Sequence, residues 1–154
     1  MVNLLVTAHA LTGILSIFAY LLLFIELLNP IDKNIMRIKT FTLLGTILIF
    51  ISWIIGGYYY VTYYGPDVKP LIKGGSTPWV HGIIMETKEH VFLFLPFLAV
   101  LVTGMIFHYN MGLHKNHKER LSVLLLCLLI ISVGLSIVGM GYLITAGVSA
   151  TGVG

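Results

Sequence analysis

The sequence predicts an all-α membrane protein whose four transmembrane helices form an up-down bundle. Of its 154 residues, 58% are hydrophobic and 10% are charged, and the mean hydropathy is +0.99. A soluble domain is normally about one quarter charged, and one this apolar could not bury its nonpolar surface in a single core. Four long apolar runs, separated by short polar segments, point the same way. We therefore expect residues 1–154 to form a single transmembrane domain with lipid as its main solvent.

Each apolar run is long enough for a membrane span, which needs about 20 residues as an α-helix. The predicted helices cover residues 4–28, 41–64, 78–110 and 121–146. Asn29-Pro30 is a stop signal after the first helix, and Pro66 follows the second. The third helix is expected to begin before its apolar run, because Pro78 suits the first position of a helix.

The basic residues predict the orientation of the chain. Six of the nine flank two short loops: Lys33, Arg37 and Lys39 in the first, and Lys115, Lys118 and Arg120 in the third. The positive-inside rule places both loops in the cytoplasm and both termini outside. We therefore expect a multi-pass protein of a prokaryotic cytoplasmic membrane. Topology accounts for the net charge of +3, so no nucleic-acid partner is predicted.

Two histidines lie where apolar helices enter from the outer side. His9 is two turns inside the first helix, and His90 opens the apolar run of the third. At about 1.5 Å per residue they would stand about 10 and 15 Å from the midplane. Neutral imidazoles on two helices of a bundle can be the axial ligands of a b-type haem. Gly13, one turn below His9, would help to leave room for the porphyrin; close helix packing by small residues is the alternative explanation.

A mononuclear metal site is a second interpretation of the same region. Glu86 and His90 are four residues apart on one helix face, and Glu89 is one step round. With His9 opposite, they would suit Zn, Cu or non-haem Fe. His108 shares a face with His90, five turns away, and is a further alternative ligand; as an interfacial histidine, its ring would reach the headgroups.

For several other polar residues the sequence predicts an ordinary structural position or no definite role. Lys88 is expected to be solvated above the membrane. The tyrosines of residues 58–64 fit an interfacial aromatic belt. The sequence leaves the roles of Glu26 and His81 open.

The chain resembles small membrane-integral b-type cytochromes in two features. An intramembrane histidine, His9, has Gly13 four residues later, and a second histidine, His90, opens another apolar helix with Pro96 after it. Similarly sparse histidines occur in copper-resistance-type and haem-copper-oxidase-associated four-helix membrane proteins. The resemblance implies electron transfer with a quinone or a redox partner subunit.

Three functions follow as hypotheses. The first is an electron-transfer protein with one haem b near the outer face, as a subunit of a respiratory or quinone-linked complex. The second is a metal-site protein for transport or metal-dependent catalysis. The third is a non-catalytic anchor or assembly subunit. Each would work in the lipid bilayer, as an oligomer or within a hetero-complex. No triad, phosphate loop or nucleotide fingerprint supports hydrolase or kinase chemistry.

Overall fold

The computed structural model describes residues 2–150, with the backbone alone at positions 2, 3, 32, 111 and 114. It is all-helical, and four of its helical segments are long and apolar enough to cross a membrane. These spans are Leu4–Leu28, Ile35–Gly74, Val80–Tyr109 and His117–Ser149. The helical class and the four spans predicted from the sequence are thus confirmed. The two termini lie outside the described residues, and their location stays a prediction.

The described residues form six α-helices, two π-helical segments and two 3-10 turns. In chain order they are α1 (Val2–Leu28), a 3-10 turn (Asp32–Asn34), α2 (Ile35–Tyr59), a π-helical segment (Tyr60–Val68), α3 (Lys69–Gly74), a second π-helical segment (Val80–Met85), α4 (Glu86–Phe92), α5 (Phe94–Tyr109), a 3-10 turn (Asn110–His114) and α6 (His117–Ser149).

The second span is longer than predicted at both ends. It begins at Ile35 rather than 41, so Arg37 and Lys39 lie in the first turns of α2 and not in a loop. It also continues through Pro66 to Gly74, where the sequence predicted an end at residue 64. A proline disrupts the i to i−4 ladder of an α-helix. Wider π-type turns change that ladder locally, and the helix passes the proline.

The other spans keep closer to their predicted bounds. The first ends at Leu28, just before Asn29-Pro30. The third begins at Val80 with a π-helical segment, and the backbone N–H of His81 donates to the Pro78 carbonyl at 3.2 Å. The fourth begins at His117 instead of 121, because the Asn116 side chain caps the backbone N–H groups of the next turn.

Helices that follow one another along the chain pack side by side, and the first span also packs against the fourth. The first and third spans are therefore diagonal across the bundle. Glycines permit the closest approaches: a Cβ at Gly45 would lie 2.8 Å from the ring of Tyr20, and one at Gly134 would lie 2.8 Å from Ile17. The central core is apolar around Tyr20, while Phe97 is 76% exposed and faces outward as a lipid-facing residue would.

We call the end of the bundle that contains His9 and residues 60–85 the His9 end. The opposite end, with residues 29–40 and 110–120, is the basic end.

Candidate functional site

His9 lies at the contact between α1 and α2 with one ring nitrogen fully engaged. Its Nδ1 is 2.9 Å from the Ser52 carbonyl oxygen and 3.0 Å from Ser52 Oγ. Ser52 Oγ in turn donates to the His9 carbonyl at 3.1 Å. A carbonyl only accepts hydrogen bonds, so Nδ1 carries the hydrogen and, in the neutral ring, Nε2 keeps a lone pair. His9 is thus an oriented imidazole that presents Nε2 as a ligand or a base.

Two glycines allow this contact to form. A Cβ at Gly56 would lie 2.8 Å from both Nδ1 and Cε1 of His9. A Cβ at Gly13 would lie 3.3 Å from Ser52 Oγ. In this structure the close packing of α1 against α2 fills the space beside both glycines. The predicted role of Gly13 beside a haem remains untested.

The third span faces His9 with an aromatic ring and a lysine. Phe92 approaches the His9 ring edge-on, with centroids 6.2 Å apart. Lys88, one turn earlier on the same face of α4, is close enough to interact electrostatically with His9. Its Nζ lies 3.7 Å from where a Cβ on Gly141 of α6 would be, and the side chain is half-buried. Lys88 was expected to be solvated above the membrane, but in the structure its side chain is half-buried and reaches toward α6.

The structure does not bring His90 to His9. His90 is exposed, and its Nδ1 donates to the Glu86 carbonyl at 2.6 Å. It follows Lys88 by two residues, which is about 200° around a helix, so it lies on the opposite face of α4. His108 is also exposed, beside Tyr109 at the basic end, with ring centroids 5.1 Å apart.

Among the side chains that the structure describes, no three His, Cys, Asp or Glu are grouped so that they could hold a metal ion. Glu86 approaches His81 instead of the His9 region, at 3.7 Å. Glu89 is half-buried and lies near Tyr60. The alternative ligands Glu86, Glu89 and His90 therefore have separate surroundings here, and the metal-site interpretation remains a prediction.

A second polar group at the His9 end was not recognised in the sequence. We call it the His81 cluster; its members are Tyr60, Tyr64, His81, Glu86 and Glu89. His81 is fully buried, with its Nδ1 3.1 Å from the Tyr64 hydroxyl. Its Nε2 makes no hydrogen bond within the described residues.

The two π-helical segments meet at this cluster, since Tyr64 belongs to one and His81 to the other. Tyr64 also stacks on Tyr60, with ring centroids 5.4 Å apart. The sequence signal was weak, because 17 residues and a chain reversal separate Tyr64 from His81, and tyrosines near a membrane surface are ordinary.

Glu26, whose role the sequence left open, stabilises the connection between α1 and α2. Its carboxylate pairs with Arg37 through Nε at 3.0 Å and Nη2 at 3.2 Å. Asn34 Nδ2 donates to the same carboxylate at 2.8 Å. All its partners lie at the basic end, so the arrangement is that of a structural ion pair.

Fold and spans together define the class: an all-helical, multi-pass membrane protein with four candidate transmembrane helices. Comparison with protein-family models, with curated proteins and with solved structures finds no match for this chain. Its function must therefore be argued from the His9 region and the His81 cluster.

Proposed function

We propose that this protein is a membrane electron-transfer subunit that binds one haem b through His9, within a respiratory or quinone-linked complex. The observation that supports it is the hydrogen bond from His9 Nδ1 to the Ser52 carbonyl. Histidine ligands of metals almost always donate their second ring N–H to a carbonyl, a carboxylate or water, which sets the tautomer and the ring orientation. His9 already has this arrangement.

The position of His9 adds support. Ionisable side chains inside a span are costly and are functional candidates by default. His9 lies between helices of a bundle, the usual setting for cofactors in helical membrane and soluble bundles. A haem held there supplies one-electron redox chemistry. The protein's own part is to hold the imidazole in one tautomer through Ser52 and to surround it with apolar helices.

His90 is the proposed second axial ligand. His90 also donates its Nδ1 hydrogen to a backbone carbonyl, which leaves its Nε2 free for iron. In this arrangement, however, its ring lies on the outer face of α4. A haem bound by His9 and His90 of one chain would need α4 to turn by about half a turn. The two-histidine site is thus a proposal that depends on such a rearrangement.

The test is a reduced-minus-oxidised absorption spectrum with a pyridine haemochrome assay on the purified protein and three variants. We expect about one haem per chain in the unmodified protein, and His9→Leu should abolish the low-spin spectrum. His117→Ala, an exposed histidine at the basic end, is the matched control and should change nothing. His90→Leu decides the second ligand: a high-spin spectrum assigns it, and an unchanged spectrum excludes it.

Absence of haem from protein made in haem-supplied cells would refute the proposal. So would a low-spin spectrum that survives His9→Leu.

A non-catalytic anchor subunit is the second candidate, favoured by the tightness of the same contact. His9 and Ser52 join α1 to α2 through three short polar contacts. The His9 ring also packs closely against the backbone of Gly56. Under this proposal His9→Leu lowers stability in a protein that never binds haem.

A further inference from the structure

We infer that Lys69 and Lys73 hold the headgroup of an anionic phospholipid in a surface groove at the His9 end of the bundle. The inference goes beyond the proposed function and does not depend on haem. It begins from the continuation of the second span past residue 64, which the sequence did not predict.

The groove lies along this continuation. It has a volume of about 710 Å³ and is lined by residues of the first π-helical segment and of α3. Uncharged residues, among them Val61 and Pro66, form most of its wall, and its charged lining residues are Lys69 and Lys73. The volume is within the range of ligand sites in proteins. Both charges come from the later part of the segment, so the groove has a basic end and an apolar end.

The two lysines form one basic site without a carboxylate of their own. They are four residues apart in α3, so they lie on the same face of that helix. Among the described residues, neither forms an ion pair with an acidic side chain. Glu89 influences Lys69 electrostatically but does not pair with it. Asp67 is exposed and precedes Lys69 by two residues, a spacing at which helical side chains do not face each other. Two ammonium groups are therefore left to bind an external anion.

The groove also lies at the level where phospholipid headgroups are found. Tyr58, just before it in the second span, and Trp79, just before the third span, are 55% and 48% exposed. Such aromatic side chains are typical of the membrane–water interface. Val61, at the apolar end of the groove, is 73% exposed, as expected for a side chain that contacts lipid. The lysines follow it along the segment, on the side away from the apolar part of the span.

An anionic phospholipid fits both ends of the groove. Its phosphate would accept charge-assisted hydrogen bonds from the two ammonium groups. Its glycerol and the first carbons of its acyl chains would lie along Val61 and Pro66. A dissolved anion could use the lysines but would gain nothing from the apolar end, so the groove favours a lipid as its occupant.

The experiment measures lipid binding to the purified full chain in maltoside micelles by native mass spectrometry. The unmodified protein should bind one phosphatidylglycerol more tightly than phosphatidylcholine, whose headgroup has no net charge. Replacing both lysines (Lys69→Gln with Lys73→Gln) should weaken phosphatidylglycerol binding roughly 30-fold, because each lysine near a membrane surface contributes about fivefold. Replacing both by arginine keeps the charge and should keep the preference.

The matched control is Lys115→Gln with Lys118→Gln. This pair removes the same charge from exposed lysines at the basic end, and its lipid binding should equal that of the unmodified protein. Equal affinity for the two lipids, an unchanged affinity after loss of Lys69 and Lys73, or an equal loss in the control pair would each overturn the inference.

Competition with dissolved glycerol phosphate separates a lipid site from a site for soluble phosphates. Glycerol phosphate carries the same anionic group without acyl chains, and an equimolar amount should leave phosphatidylglycerol bound. Displacement of the lipid under these conditions would assign the lysines to a soluble phosphate and overturn the lipid assignment. This arm uses the unmodified protein, so it does not depend on the folding of any variant.

Discussion

Gly56 and Gly57 are neighbours in α2 with different surroundings, so adding one methyl group to each should have different effects. A Cβ at Gly56 would lie 2.8 Å from two atoms of the His9 ring, whereas one at Gly57 would meet no heavy atom within 4 Å. Gly56→Ala should therefore destabilise the protein, and Gly57→Ala should not.

The expected size follows from three terms. Alanine is favoured over glycine in a helix by about 1 kcal/mol, which applies to both variants and cancels in their difference. At Gly56 the ring must move from 2.8 Å to at least the 3.4 Å of ordinary contact. Overpacking of this kind costs about 1–3 kcal/mol, and a weakened His9–Ser52 hydrogen bond adds about 0.5–1.5 kcal/mol. The free energy of unfolding should thus be lower for Gly56→Ala than for Gly57→Ala by about 1.5–4.5 kcal/mol.

The assay is equilibrium unfolding in mixed micelles by titration with sodium dodecyl sulfate, followed by fluorescence of Trp53 and Trp79. Both variants are compared with the unmodified protein under the same conditions. Equal unfolding free energies for the two variants would refute the packing of His9 against α2, and with it the oriented imidazole on which the proposed function depends.

Two further polar contacts give predictions of stability in the same assay. Glu26→Gln should lower the free energy of unfolding by about 1 kcal/mol, because Arg37 loses its ionic partner. The added change Arg37→Gln should then cost little, and additive effects would contradict the pairing. Tyr64→Phe should cost about 1–3 kcal/mol, because it leaves His81 Nδ1 buried without its partner. Tyr58→Phe, at a residue that is 55% exposed, is the control, and equal stability of the two variants would contradict the prediction.

Much of the fold could be predicted because the hydropathy of a segment indicates whether lipid or water surrounds it. A backbone in lipid must satisfy its own hydrogen bonds, and long apolar runs therefore become helices. The predicted bounds of the spans differ from the structure where helix geometry or capping overrides the local sequence signal. Pro66 does not end the second span, because π-helical turns pass it. The four residues that precede 121 are helical because Asn116 caps them.

The sites were predictable only in part. His9 could be recognised because an imidazole in an apolar helix is unusual. Its partner Ser52 is 43 residues away, and a serine in a helix gives no comparable signal. The sequence predicted His90 as a ligand at the start of an apolar run and Lys88 as a solvated residue above the membrane. Their two-residue offset sends them to opposite faces of α4, and only the packing of that helix decides which face meets the bundle interior.

The sequence by itself determined the solvent, the helical class, the four spans and the few side chains able to carry chemistry, because these depend on composition along one segment. The tertiary structure decided which of those side chains meet. It placed His9 against Ser52, turned Lys88 inward and His90 outward, and joined His81 to Tyr64. Such choices depend on the rotation of each helix about its axis, which small contacts at glycines set and which no single segment encodes.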